Sequence, residues 1–417
     1  MGMLGKVSAA VKAETEGEVP RTFLDKVITS TPVVMTVVAT ILAGLSSSEM
    51  STAQYHRSVA AQNQSKAGDQ WEFYQAKRGR GASVDNTLDV LSVDGSAGAL
   101  DRTALEQSAK GLVEQAQYLR DALHAGQAPD GAPSGATASS GSAASELARQ
   151  FSMAADRSVD QARQLLAQWD QLLSDPLARQ SLDYLHSGNL PTINEKEIRD
   201  EDVKEALAAI DANKQEEQIT PIVRKVDAAK FDEALAAAQE NARAFDAALK
   251  PVEQAIDRMS KLVAAQTALA RKIERQSRGL PGAASDSATQ SASEVRQNNA
   301  LSAAKALAQS LRERADEVGG DFVAARLRFA SRKYQAESRY NMATAQLFEL
   351  DVRRSAVASE RHRERSKNFF YGMLAAQAAV TIATLSLAVR QRSLLWTMAT
   401  GAGAIAVALG IYVYLFT

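Results

Sequence analysis

The chain contains no cysteine, which excludes disulfides, thiolate metal sites and cysteine nucleophiles. It leaves the redox compartment open, because a cysteine-free chain tolerates either side of a membrane. Proline is scarce, with 9 in 417 residues, and aromatic residues make up 6%. Together with abundant alanine, that scarcity favours long helices over sheet. Neither sign of charge is in excess: 48 Lys and Arg stand against 49 Asp and Glu, a net charge of -1. There is thus no global basic field for nucleic acid. Recognisable catalytic patterns are missing as well. His56, His124, His186 and His362 lie outside any His-x-x-x-His or Glu-x-x-His spacing and have no evident pairing partner. No glycine-rich loop follows a credible strand, and Gly-x-Ser-x-Gly is absent. The carboxylates of 195–205 and 216–217 sit among opposite charges and read as solvated faces. The expectation is a protein without cofactor, metal or small-molecule substrate, without a nucleic-acid partner, and without enzymatic activity.

What the sequence does have is three charge-free apolar runs. They cover Val27–Ser48, Asn368–Val389 and Ser393–Thr417, each long enough to cross a hydrocarbon core of ~30 Å as a helix. The first reads as a retained anchor rather than a signal peptide, since about 26 polar residues precede it and no clean cleavage site follows. The implied fold class is all-α: a membrane protein with one N-terminal and two C-terminal transmembrane helices around an extramembrane bundle of long helices and coiled coil. The corresponding segments are a tail at 1–26, a span at 27–48, a helical region at 49–367, and spans at 368–389 and 393–417. Lys12, Arg21 and Lys26 precede the first span and Arg390 and Arg392 lie in the last turn. By the positive-inside rule these place tail and turn in the cytoplasm and the helical region outside it, against the opposing cluster Arg353–Lys367. No ionisable residue lies in the core of a span, which counts against ion coupling. Gln377, Thr381 and Thr384 read as interhelical glue, and small-residue rows at 372/376, 375/379/383 and 402/406/410 predict a tight hairpin of the last two spans with self-association open to it.

Within 49–367 the pattern predicts that the first helix continues to about Lys77 and ends at Gly79 and Gly81. Helices follow over Thr87–His124, Ser145–His186 and Asp200–Gln218, the last closed by Pro221. Flexible linkers are expected near 125–143 and 279–291, both rich in Gly, Ser and Ala. Phe231, Leu235, Ala238, Ala242, Phe245, Leu249, Val252, Ile256, Met259 and Val263 alternate steps of four and three, a coiled-coil seam that keeps phase through Pro251. A last helix from about Ser293 runs towards the second span, with Gly319-Gly320 as its weak point.

Three groups stand out as candidate interaction sites. Phe245, Leu249 and Ile256 lie at the centre of the seam, which either receives a partner coiled coil or second copy, or packs on the helix Ser145–His186. Trp71 and Tyr74 lie about as far beyond the first span as Tyr334 and Tyr340 lie before the second, so segment 71–77 is expected to pack on 334–347 if the two rods run antiparallel. Arg361, Arg363, Arg365 and Lys367 are placed to bind anionic lipid headgroups or to anchor the helix end at the interface.

Gly68-Asp69-Gln70-Trp71 running into Tyr74-Gln75-Ala76-Lys77, between a first span and a helical block that ends in two spans joined by an Arg-bearing turn, resembles the bacterial membrane family known as domain of unknown function 4337. The resemblance rests on the first ~80 and last ~90 residues, with Val84–Gly320 departing from the shorter members. It implies a bacterial inner-membrane protein with an enlarged helical insert, and no activity. The function expected is a membrane-anchored helical scaffold or interaction protein, with membrane lipid and a homo-oligomer or coiled-coil partner. A channel or pore subunit gated by the helical region is the alternative.

Overall fold

A computed structural model describes residues 23–93, 98–125, 141–278, 292–388 and 392–416. Every regular element among them is a helix: α1 (Phe23–Val93), α2 (Arg102–Ala125), α3 (Gly141–Ser174), α4 (Pro176–Ser187), α5 (Glu201–Asp211), α6 (Glu216–Val223), α7 (Ala228–Arg278), α8 (Ala292–Ala388) and α9 (Arg392–Phe416). The fold is all-α, and α1, α8 and α9 each hold a stretch long and apolar enough to cross a membrane. Of the two expected linkers, 126–140 and 279–291 lie outside the described residues, while 141–143 already open α3.

Several expected breaks fall elsewhere, each for a local reason. Helix α1 runs through Gly79 and Gly81 and stops at Val93. A glycine costs only about 1 kcal/mol in a helix interior. At Gly81 there is a packing reason for it, since a Cβ there would stand 3.6 Å from Tyr334 Cβ. The helix expected from Thr87 to His124 begins only at Arg102, where Asp101 accepts a hydrogen bond from Thr103 N at 2.8 Å. The helix expected over 145–186 is cut at Asp175-Pro176. Asp175 caps α4 by accepting from Leu177 N at 2.9 Å, and Pro176 takes the first helical position, where its missing N–H costs nothing. Helix α4 ends at Gly188 with φ +66°, the left-handed conformation that favours glycine. The short helix expected over 200–218 is two helices separated near Asn213, whose φ is +48°, and Pro221 lies inside α6 instead of closing it. Helix α7 carries its seam through Pro251 without interruption, and α8 passes unbroken through Gly319-Gly320.

The chain divides into two units. Unit 2 comprises Asp69–Ile198 and Leu235–Thr344. Its main core gathers Trp169 from α3, Leu182 and Leu185 from α4, Phe245, Leu249, Ile256 and Met259 from α7, and Phe322 and Phe329 from α8. A second core joins Leu112 and Leu119 of α2 to Val159, Ile273 and Leu311.

Unit 1 comprises Met1–Gly68, Arg199–Ala234 and Ala345–Thr417. Its three apolar stretches interlock. Leu42 of α1 enters a notch left by two glycines, lying 3.2 Å from where a Cβ on Gly372 would stand and 3.0 Å from one on Gly410. Met35 fills the space over Gly403 in the same way, at 2.5 Å. Ala376 of α8 and Ala406 of α9 are fully buried in the same cluster, so the predicted hairpin of the last two spans is present and α1 packs on it. Beyond this cluster α1 and α8 run antiparallel, because contacts rise along one helix as they fall along the other: Ser46 with Ser366, Ala53 with Ser359, Asn63 with Asp351.

Candidate functional site

In unit 1 the α1–α8 pairing beyond the spans is polar. Ser46 and Ser366 exchange hydrogen bonds to each other's backbone carbonyl at 3.0 and 2.8 Å. One stretch further along, His362 Nδ1 meets Glu49 Oε2 at 2.5 Å, and the His362 ring stacks on His56 with centroids 5.5 Å apart and planes 8° from parallel. Next, Asn63 donates to the carboxylate of Asp351, which is 4% exposed, and Arg354 lies 2.7 Å from the other oxygen of that carboxylate. The Arg354 guanidinium also covers the Phe231 ring at 5.2 Å. Burial and then the facing His362 and Arg354 hold the His56 imidazole below its ordinary value of 6.5, against an opposing pull from Asp351. The histidines expected to lack partners are therefore corrected: His56 and His362 form a stacked pair, His186 bonds the Leu100 carbonyl at 2.6 Å, and His124 lies 3.6 Å from Asp156. Among the described residues no group of three His, Asp or Glu could hold a metal.

A cleft of about 770 Å³ opens between α6 and α8 in the same unit, lined by Val223, Arg224, Val226, Arg354, Arg361 and His362 among others. Arg361, one of the four residues read as headgroup ligands, is exposed at its rim. The other three differ from one another. Arg363 pairs with Glu360 at 3.5 Å, Arg365 lies 4.0 Å from Glu49 with its Nε buried, and Lys367 is exposed.

In unit 2 the aromatic residues expected to meet are distributed over two contacts. Lys77 pairs with Glu337 at 2.5 Å and lies 5.7 Å from the Tyr334 ring centre, with Lys333 at 5.5 Å. Segment 71–77 thus reaches α8 through Lys77. Trp71 and Tyr74 stack edge-on with each other at 5.5 Å, and the Tyr74 hydroxyl accepts from Arg78 at 3.2 Å. Tyr340 instead packs on Phe245 at 5.1 Å and donates to Glu195 at 2.5 Å. Burial and that bond push the Tyr340 hydroxyl above its ordinary value. Close by, burial and the Glu337 carboxylate raise Asp246. Phe245, Leu249 and Ile256 are 3%, 2% and 4% exposed, covered by the chain's own α3 and α8. Of the two roles read for the seam, partner surface or internal packing, its unit 2 residues take the second.

The span residues read as interhelical glue face the other way. Gln377, Thr381 and Thr384 are exposed on α8, whereas Ala376, Ala379 and Ala383 of the same helix are fully buried.

No local pattern announced Glu49, His56, Asn63, Asp351 or His362 as partners. Each pair joins residues hundreds of positions apart, and only the alignment of the two flanking spans, continued outward at equal rise, could have suggested their register.

No curated protein and no solved structure matches the chain. Residues 25–167 match the family model described as domain of unknown function DUF4337. The matched stretch takes in the first span and the 68–77 motif. It runs past residue 84, where the sequence was read as departing from the family, and it stops before the last two spans. The family that the sequence resembles is thus the family whose model it matches, DUF4337, over residues 25–167.

Proposed function

We propose that this protein is a membrane-anchored helical scaffold without catalytic activity, holding a polar helical body at a bilayer by both of its ends. One observation carries this reading: the apolar stretches of α1, α8 and α9 lock into each other through Leu42 and Met35 against Gly372, Gly403 and Gly410. Large side chains seated over small residues are one way helices pack closely in lipid, where no hydrophobic force drives them together. Their interior is filled by Leu42, Phe369, Ala376 and Ala406, which favours an anchor over a pore within one chain. The partners proposed are membrane lipid and a second copy of the chain, and the site is the bacterial inner membrane. The tail and the 390–392 turn lie on the cytoplasmic side and the helical region lies outside. Phe245, Leu249 and Ile256 are occupied within unit 2, so the assembling surface lies elsewhere on the molecule.

The test is fractionation of membranes from expressing cells. The full chain stays in the pellet after an alkaline carbonate wash and is released only by detergent. Protease added to the outer face cuts within 125–143, and a protein tag ahead of residue 1 survives. Release by carbonate alone ends the anchor reading, and cleavage only from the cytoplasmic face reverses the orientation.

A further inference from the structure

Residues Phe370, Leu374, Gln377, Thr381, Thr384 and Ala388 of α8 follow one another by steps of four and three, and all six are exposed. This is the spacing of a helix–helix seam, laid along the outer side of a stretch apolar enough to cross a membrane. Between apolar ends it carries three polar residues, Gln377, Thr381 and Thr384. Polar side chains in spans ordinarily turn into the bundle, and Ser386 does so, yet Ala376, Ala379 and Ala383 fill the other inward positions level with an outward amide and two outward hydroxyls. The hydroxyls are satisfied locally. Thr381 donates to the Gln377 carbonyl at 3.0 Å and Thr384 to the Val380 carbonyl at 2.6 Å. Among the described residues nothing satisfies the Gln377 side-chain amide in this way. It stands ~14 Å along the helix from Asn368, which in a membrane-crossing α8 is near mid-depth of a core of ~30 Å.

We infer that this face of α8 is an interface between two copies of the chain, with Gln377 as its central contact. A primary amide offers both donors and an acceptor, so it is its own complement, and a symmetric pair of copies brings Gln377 against Gln377 of the partner subunit. A single polar residue at such a seam position sets register and oligomeric state. Thr381 and Thr384 keep the seam narrow on one side of Gln377, and Phe370 and Leu374 supply the contact area on the other. The inference rests on the membrane-anchored reading proposed above.

Because the chain has no cysteine, single cysteines report without background. Full-length variants carrying Leu374→Cys, Thr381→Cys or Ala388→Cys are oxidised in native membranes, beside Ala376→Cys, Ala379→Cys and Ala383→Cys on the inward side. Carbonate-washed pellets are scored in parallel, so loss of anchoring is seen separately from loss of association. The first three form a disulfide species of twice the chain mass and the second three do not. Adding Gln377→Leu to Thr381→Cys lowers the yield about three- to thirty-fold, as expected for one interhelical hydrogen bond in lipid, while Gln377→Asn retains most of it. The inference is overturned if anchored protein crosslinks equally on both sides or not at all, or if the product has the mass of a different partner. It is also overturned if Thr381→Cys reacts with a membrane-impermeant thiol reagent, since the face would then line water.

Discussion

Helices α1 and α8 take part in both units, and each unit uses them differently. In unit 2, α8 contributes Phe322 and Phe329 to a core of large apolar side chains that also holds Trp169, Leu249 and Met259. In unit 1 beyond the spans, the same two helices face each other with serine, alanine, asparagine, aspartate and histidine. Apolar burial is non-directional and scales with area, so unit 2 draws its stability from volume filled. Polar contacts contribute little net stability but cost a great deal when mismatched, so the paired rods of unit 1 draw register and specificity from theirs. Helix α8 is thus held by bulk in one unit and by matching in the other, whereas α1 meets it in unit 2 through Lys77 and Gly81 and takes no part in that core.

The largest test of that contrast is Phe322→Ala. Phe322 is fully buried, and its truncation is expected to cost about 3–5 kcal/mol. Amide exchange should speed up throughout unit 2 while the protection of 46–63 holds. Equal loss in both units would mean that they do not separate as described. A smaller effect is expected of Asn63→Leu, which leaves one oxygen of the buried Asp351 carboxylate without its donor at about 1–3 kcal/mol while Arg354 keeps the other. The double replacement Asn63→Leu with Asp351→Leu should recover part of that loss, since it also takes the ion-pair partner of Arg354, whereas no double replacement of this kind rescues Phe322→Ala. A double variant as unstable as the single one would remove the matching argument.

The smallest effect concerns pH. The folded chain holds His56 below its ordinary value, so the unfolded chain protonates first as the pH falls. Its contribution is therefore full above its ordinary value of 6.5 and is lost as the pH falls below it. The melting temperature of the full chain in detergent should decline from pH 7 towards pH 5, and His56→Gln should flatten part of that decline. An unchanged slope would show that the stacked pair with His362 carries no pH dependence.

The sequence made some of this legible and hid the rest. Three spans were visible because a long apolar run in an otherwise charged chain fits lipid better than it fits any polar surface. The α7 seam was visible because its period is set by helix geometry alone. What covers that seam was not, since periodicity names a buried face but never its partner. Gly79 and Gly81 were read as stops because glycine is a weak helix former, yet Gly81 is where α1 approaches Tyr334. The reverse error occurred at Asp175-Pro176, where an apolar period continuing on both sides concealed a cap and a fresh start. The polarity of Gln377 was visible, but its direction was not. Which side of α8 faces its neighbours follows from the packing of Leu42 on Gly372 and Gly410 and of Met35 on Gly403, a relation between the two ends of the chain.

That relation has a consequence for biosynthesis. The notch that receives Leu42 is made by Gly372 and Gly410, the nearer of them about 330 residues downstream. At ordinary rates of translation the ribosome needs roughly 20–60 s to cover that distance. Through this interval the apolar stretch of α1 has no notch to enter, and the intervening body leaves the ribosome before that contact is made. The contact that closes the anchor is thus among the last the chain can make, and a chain truncated ahead of Gly372 lacks both halves of the notch for Leu42.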